Sequence, residues 1–364
     1  MFKVTPWEVS GKIDYQKLVE EFGVSEITPE LLKKMPDHFM LRRGIFYAHR
    51  DLDKIIEARE RGDRFYLYTG RGPSGRIHIG HLMPWIFNQF LQKEWGVELY
   101  FQLTDDEKFL FNDDLSLEDT KRLAYDNALD VIALGFDPRK TTIFLDTDNM
   151  DVLYPIALKV AKRVTFSTAK AVFGFDSSTN IGSIFYTSIQ SAPAFLLSEL
   201  EKESVRCLIP CAIDQDPHFR VTRDVAEPLG YPKPASIYCK LLPSLIGSDK
   251  MSSSTPESSI FTTDDEETVR RKIMNAFTGG APTIKEQRLH GGNPDVCSVY
   301  AYHFFCFEPD DGKVKGIYDR CRGGSLMCGE CKAMLNEEIN SFLTEHRKKR
   351  EWAKDHIGDF VKRI

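Results

Sequence analysis

Between residues 64 and 229, short apolar runs alternate with longer stretches of helical periodicity, and no other feature narrows the possible folds as much. RFYLYTG (64–70) is an aromatic and apolar run stopped by glycine, and HIGHLMPWIFNQFLQKEWG (78–96) then carries apolar residues at helical spacing up to the next glycine stop. VELYFQLT (97–104) and TTIFLD (141–146) repeat the strand pattern around a helix-like stretch over 117–136. VRCLIPCAID (205–214) does so again before a helix over 219–229. Strands joined by long helical stretches predict a parallel sheet covered on both faces, a Rossmann-like α/β fold. Ligands in such folds lie beyond the carboxyl ends of strands, where Gly70, Asp105 and Asp214 fall.

After about residue 255 the strand rhythm stops, and helix-like segments follow, punctuated by TGGAPT (278–283). A chain of 364 residues can bury two cores. The expected organisation is an N-terminal extension (1–60) packed on a Rossmann-type domain (61–254), then a mainly helical domain (255–350) and a C-terminal helix (351–364). The start lacks a basic stretch leading into an apolar one, and no apolar run is long enough to cross a bilayer, so the expectation is a cytoplasmic protein without a membrane partner. Its eight cysteines are then reduced thiols or metal ligands. A net charge of −6 argues against a nonspecific nucleic-acid binder, and no DNA partner is expected, but a local basic face on RNA is compatible with it.

The strongest chemical signal is Tyr68-Thr-Gly-Arg-Gly-Pro-Ser-Gly-Arg-Ile-His-Ile-Gly-His81, which leaves a strand and enters a helix. Gly70 and Gly72 allow close backbone approach to a ligand, and Gly80 leaves room on the first helical turn for a flat base. The helix N-terminus offers amides and positive dipole to phosphate. His78 and His81, three residues apart, share one helix face and can donate to a phosphate chain. About 170 residues later stands Lys250-Met-Ser-Ser-Ser254. A loop lysine flanked by hydroxyls suits the charge that develops on a pyrophosphate leaving group. A nucleotidyltransferase of small molecules with an HxGH site shares these features, although it has no need of a helical domain after the lysine loop.

With these motifs the chain resembles the class I aminoacyl-tRNA synthetases, whose HIGH and KMSKS signatures correspond to 78–81 and 250–254, with Ser253 in place of the second lysine. YTGRGPSG, QLTDDEKF, CAIDQDPHFR, YPKPA, SSIF and GGNPD are similar to the tryptophanyl branch of archaeal and eukaryotic type over about 60–345. The resemblance implies activation of L-tryptophan with ATP, Mg2+ carried on the ATP phosphates, transfer to tRNA(Trp), a homodimer, and a helical domain that reads the anticodon. It implies His78, His81 and Lys250 as catalytic residues. Thr69, Gly70, Arg71, Gly72, Ser74, Gly80, Asp214, Met251, Ser252 and Ser253 are the expected ATP contacts. By the same resemblance Tyr68 and Gln102 recognise the indole nitrogen, while Glu107, Gln190 and Gln215 hold the amino and carboxylate ends. A tyrosyl-tRNA synthetase shares the fold and both signatures, but its pocket must satisfy a phenol hydroxyl.

Three further features carry expectations. Cys297, Cys321, Cys328 and Cys331 differ by one residue in the long gap from the Cx22Cx6CxxC pattern that holds a 4Fe-4S cluster in some bacterial-type relatives. Zinc or such a cluster is thus conceivable, yet the other motifs are of the type for which none is expected, and no metal ligand is assigned. Residues 333–364 hold 7 Lys/Arg and 6 Asp/Glu, so the basic run 347–350 reads as a solvated helix face, with tRNA phosphate as the alternative. Arg220 and Arg223 are expected to form structural pairs. Pro6-Trp-Glu-Val9 matches a segment that closes over the active site in related enzymes.

Overall fold

The structure, a computed structural model, describes residues 13–247, 251 and 255–364, and the backbone of 3–4 and 9–10. Strands β1 (Lys3–Val4) and β2 (Val9–Ser10) pair antiparallel. Pro6, Trp7 and Glu8 of the expected lid lie outside the described residues.

The central sheet has seven strands: β3 (Ser25–Glu26), β4 (Phe46–Arg50), β5 (Phe65–Arg71), β6 (Glu98–Leu103), β7 (Thr141–Leu145), β8 (Arg206–Ala212) and β9 (Ala235–Cys239). Their order is β3-β4-β9-β8-β5-β6-β7. Neighbours from β9 to β7 run parallel, while β3 and β4 add antiparallel at one edge. The chain steps outward from β5 through β6 to β7, then returns to lay β8 on the other side of β5, so the direction of winding switches between β5 and β8. Such a switch point is where α/β sheets bind ligands.

Burial explains which expectations held. The runs at 64–70, 97–104, 141–146 and 205–214 became parallel strands, because bulky residues such as Leu67, Phe101, Ile143 and Leu208 fill both covered faces. Strand β9 (ASIYC) is buried throughout although it is short and holds a serine; its place between β8 and β4 supplies the burial, and its own sequence carries little strand signal. Part of 1–60 supplies β3 and β4 to this sheet, with β4 paired to β9 from Phe46–Cys239 to Arg50–Ser236 and a register shift between Phe46 and Ala48.

The helices that matter here are α1 (Ile79–Trp95), α2 (Asp105–Leu110), α3 (Leu117–Ile132), α4 (Ile181–Ile189), α5 (Asp216–Leu229) and α6 (Cys328–Phe360). Gly96 ends α1 in the left-handed region at φ 65°, the stop that its sequence announces. Helix α6 runs unbroken through the expected boundary at 350 and lies along α3. There His346 Nε2 is 2.9 Å and Arg350 Nε 3.2 Å from the buried Asp130. Beyond α6, Val361 bridges Ile143 and the Lys362 amide donates to the Ile143 carbonyl, so the chain end covers the outer edge of β7. The basic run divides: Arg347 and Arg350 face inward onto the Asp264 carbonyl and Asp130, whereas Lys348 and Lys349 are exposed.

Candidate active site

Strand β5 pairs with β8 only over Phe65–Leu67 and Arg206–Leu208, although it stays in register with β6 as far as Arg71. Past Leu67 and Leu208 the two strands therefore diverge. Pro210 has no N–H to add to a ladder, and its carbonyl accepts from Asn88 Nδ2 instead. The opening holds a cavity of about 550 Å3, within the size range of small-molecule sites. Of the expected site residues, Tyr68, Thr69, Gly70, Arg71, Gly72, Ser74, His78, Gly80, His81, Glu107, Gln190, Asp214, Gln215 and Met251 line it. Gln102 is fully buried beneath Tyr68, while Lys250, Ser252 and Ser253 lie outside the described residues.

At one end stands the start of α1. His78 is its N-cap, and the flanking backbone is clamped: the Ile79 amide donates to the Ile260 carbonyl and the Thr262 amide to the Ile77 carbonyl. The His78 and His81 rings stack with centroids 3.5 Å apart, on one face as their spacing predicts. The His78 backbone N–H donates to His81 Nδ1 at 3.2 Å, which leaves the proton of a neutral His81 on Nε2 as a donor. A methyl group on Gly80 would stand 3.1 Å from Met251 Sδ, so the residue after Lys250 packs on the first turn of α1.

Gly70 and Gly72 line the cavity, and their neighbours also leave no room for a side chain. A Cβ on Gly70 would be 2.8 Å from the Gln102 carbonyl oxygen, and one on Gly72 would be 2.1 Å from Lys108 Cε. The neighbouring strand and α2 fill that space. Arg71 points into the body of the protein, with Nε donating to Asn127 Oδ1 at 2.8 Å. Burial lowers its pKa to about 10, opposed by the charges of Asp130 and Glu107, so it remains a cation at neutral pH. Its Nη2 is buried with no hydrogen-bond partner among the described residues.

The other end is a layered polar network. Tyr68 Oη donates to Gln102 Oε1 at 2.5 Å, and Gln102 Nε2 donates to Asp146, 2.9 Å from Oδ1 and 2.9 Å from Oδ2. Behind these lies Asp106. Burial pushes Asp106 up to about 7 and Asp146 well above the usual carboxylate range, and the charge of the nearby Asp106 raises Asp146 further. Glu107 behaves oppositely. Its burial would raise its pKa, but Lys108 Nζ at 2.8 Å and Thr104 Oγ1 at 2.6 Å hold it below the ordinary value. Tyr186 donates to Gln190 Oε1 and lies 3.4 Å from Glu107 Oε2.

Sequence reasoning missed Asp146, Lys108, Tyr186 and His218, all in or behind this cavity. Asp146 follows β7, so the carboxyl-end rule that singled out Asp105 and Asp214 applied to it as well. Tyr186 precedes Gln190 by one helical turn, and only the fold of α4 turns both toward Glu107. His218 is held neutral, its pKa lowered to about 4 by burial. Asp216 turns away from the cavity: it binds Arg50 at 2.7 Å and Tyr238 at 2.6 Å. Arg223 pairs with Asp51, in line with its expected structural role. The four cysteines of the C-terminal region line one small pocket, but among the described residues no three His, Cys, Asp or Glu groups are placed to hold a metal ion.

Known proteins share this architecture. The family model of class I tRNA synthetases for W and Y matches residues 60–344. A tryptophan--tRNA ligase of Pyrobaculum calidifontis is 56% identical, with 99% of this chain and 97% of that protein aligned. Among solved structures, the tryptophanyl-tRNA synthetase of Aeropyrum pernix K1 superposes with a TM-score of 0.89 at 36% identity, covering 96% of this chain and 97% of that one. The enzyme from Giardia lamblia gives 0.89 at 35% identity, covering 95% of each chain. Shared sequence along nearly the whole chain, together with a cavity that opens beside its HIGH motif and Met251, makes this protein a member of the class I tRNA synthetases of the W and Y group.

Proposed function

We propose that the chain activates L-tryptophan with ATP, releasing pyrophosphate, and passes the tryptophanyl group to the 3′ end of tRNA(Trp). One observation carries the reading: a single cavity joins the HIGH motif and Met251 at one end to the Tyr68, Glu107 and Gln190 network at the other. The α-carboxylate attacks the α-phosphorus and pyrophosphate departs, so no enzyme nucleophile is needed. Catalysis is then positioning plus electrostatic stabilisation. His81 Nε2, the amides opening α1 and the ammonium of Lys250 meet charge on the phosphates, and Arg71 supplies a buried cation at the side. Mg2+ enters on the ATP phosphates and neutralises part of their charge.

At the amino-acid end, Glu107 is kept ionised by Lys108 and is suited to a substrate ammonium. Tyr68 and Gln102 offer oxygen acceptors to an indole N–H. Leaving such buried acceptors unpaired is costly, which selects for tryptophan over substrates without a donor at that position. The helical region after about 255 reads the anticodon end of the tRNA, two copies of the chain work as a homodimer, and the enzyme serves cytoplasmic translation. Among the described residues no helix is long and apolar enough to cross a membrane.

The test is ATP–pyrophosphate exchange with each of the twenty amino acids. Exchange with tryptophan alone is expected. Equal exchange with tyrosine would remove the substrate assignment.

A further inference from the structure

Gln102 has two chemically different ends, and which end meets Tyr68 decides what that part of the pocket recognises. Nothing in the glutamine itself makes the choice. Its Nε2 is directed at both oxygens of Asp146, at 2.9 Å each, and both side chains are fully buried. Ionised or protonated, the Asp146 carboxyl keeps an oxygen that accepts from Gln102. The amide must turn its N–H group that way and its Oε1 toward Tyr68.

The consequence passes to Tyr68. Its hydroxyl has one hydrogen, which goes to Gln102 Oε1 at 2.5 Å, so only oxygen lone pairs remain for the cavity. Its contacts with the Gln190 carbonyl oxygen and Nε2 are 3.4 Å long and compete weakly. With the amide reversed, Nε2 would donate to Tyr68, and the tyrosine hydrogen would point at the substrate. The same two side chains would then repel an N–H group.

We propose that Asp146, which touches no part of the cavity, is the positioning residue that fixes the polarity of the Gln102–Tyr68 pair and thereby makes the site select an amino-acid side chain bearing an N–H donor. This rests on the tryptophan-activating reading above. Asp146 is the right element for the task because both its oxygens meet the Gln102 amide inside a layer closed to water.

The test compares L-tryptophan with β-(benzothiophen-3-yl)alanine, a bicycle of similar shape without the N–H, in ATP–pyrophosphate exchange. The unaltered enzyme should prefer tryptophan by a large factor, up to about 10⁴ for a site built around a polar group. Asp146→Leu removes the acceptor at similar volume and frees the amide to turn. The ratio of kcat/KM values should fall at least about tenfold, through a higher KM for tryptophan and little change for the analogue. Asp146→Asn can place Oδ1 toward Gln102 and its NH2 toward Asp106, so it should restore the ratio. Should Asp146→Leu not fold, the asparagine variant still decides the matter: loss of selectivity there would mean that charge, not acceptor direction, is what matters, and would overturn the proposal. Equal losses for both substrates in the leucine variant would also overturn it, reducing Asp146 to a structural residue. An unaltered enzyme inactive with tryptophan would instead refute the function reading itself.

Discussion

Replacing Gly72 with alanine should damage amino-acid recognition while sparing the fold. The added Cβ would lie 2.1 Å from Lys108 Cε, 2.9 Å from Lys108 Nζ and 2.6 Å from Glu107 Oε2. These are ends of flexible side chains, so relief comes from swinging Lys108 toward solvent, where its side chain is already 25% exposed, together with a smaller shift of the Glu107 carboxylate. That breaks the 2.8 Å contact with Glu107, whose side chain is 11% exposed. Burial is the largest influence on Glu107 and acts to raise its pKa; Lys108 is the main opposing influence. Without the ammonium the balance reverses, and a carboxylate that stayed ionised to low pH takes up protons at higher pH. The displaced lysine remains in the molecule, so the loss should be smaller than for deleting a partner of a buried pair, about 1.5–3 kcal/mol in tryptophan affinity, or roughly 10- to 100-fold in KM. The assay is tryptophan-dependent ATP–pyrophosphate exchange from pH 6 to 9, with Tm measured alongside. KM in the variant should fall as pH rises, because the ionised form binds the substrate ammonium, whereas the unaltered enzyme should show no such trend in that window. A KM unchanged at every pH in the folded variant would refute the reasoning that Lys108 maintains the charge of Glu107.

Other outcomes follow from the same geometry. Lys250→Ala should lower kcat by about 10² or more with the tryptophan KM nearly constant, since the charge it meets forms in the transition state; a raised KM with kcat intact would make it a substrate-binding residue. Removing residues 1–12 should reduce the exchange rate markedly and Tm only slightly, as expected of a segment that closes over a site; unchanged exchange in the folded truncation would make it a passive tail. Asp130→Ala leaves His346 without its buried carboxylate and Arg350 with only Asp126 on α3, and should cost about 2–3 kcal/mol in urea unfolding; a loss under about 1 kcal/mol would show that Asp130 contributes little to the junction of α6 with α3.

The sequence by itself determined the parallel core, because its strands are apolar on both faces and its helices carry their own stops, as at Gly96. It also determined the HIGH end of the cavity. HIGH and the start of its helix are local features, and His78 and His81 stack because of their spacing alone. Other elements were decided only in three dimensions. Strand β9 is a strand because β8 and β4 flank it, and Gly70 and Gly72 are small because Gln102 and Lys108 occupy the space beside them. Asp146 lies 44 residues from Gln102 in the chain and comes to it only by the pairing of β7 with β6. The direction of one buried amide depends on that pairing. Hydrogen-bond polarity belongs to a network of distant partners, and a linear pattern of residue types does not record which donor meets which acceptor.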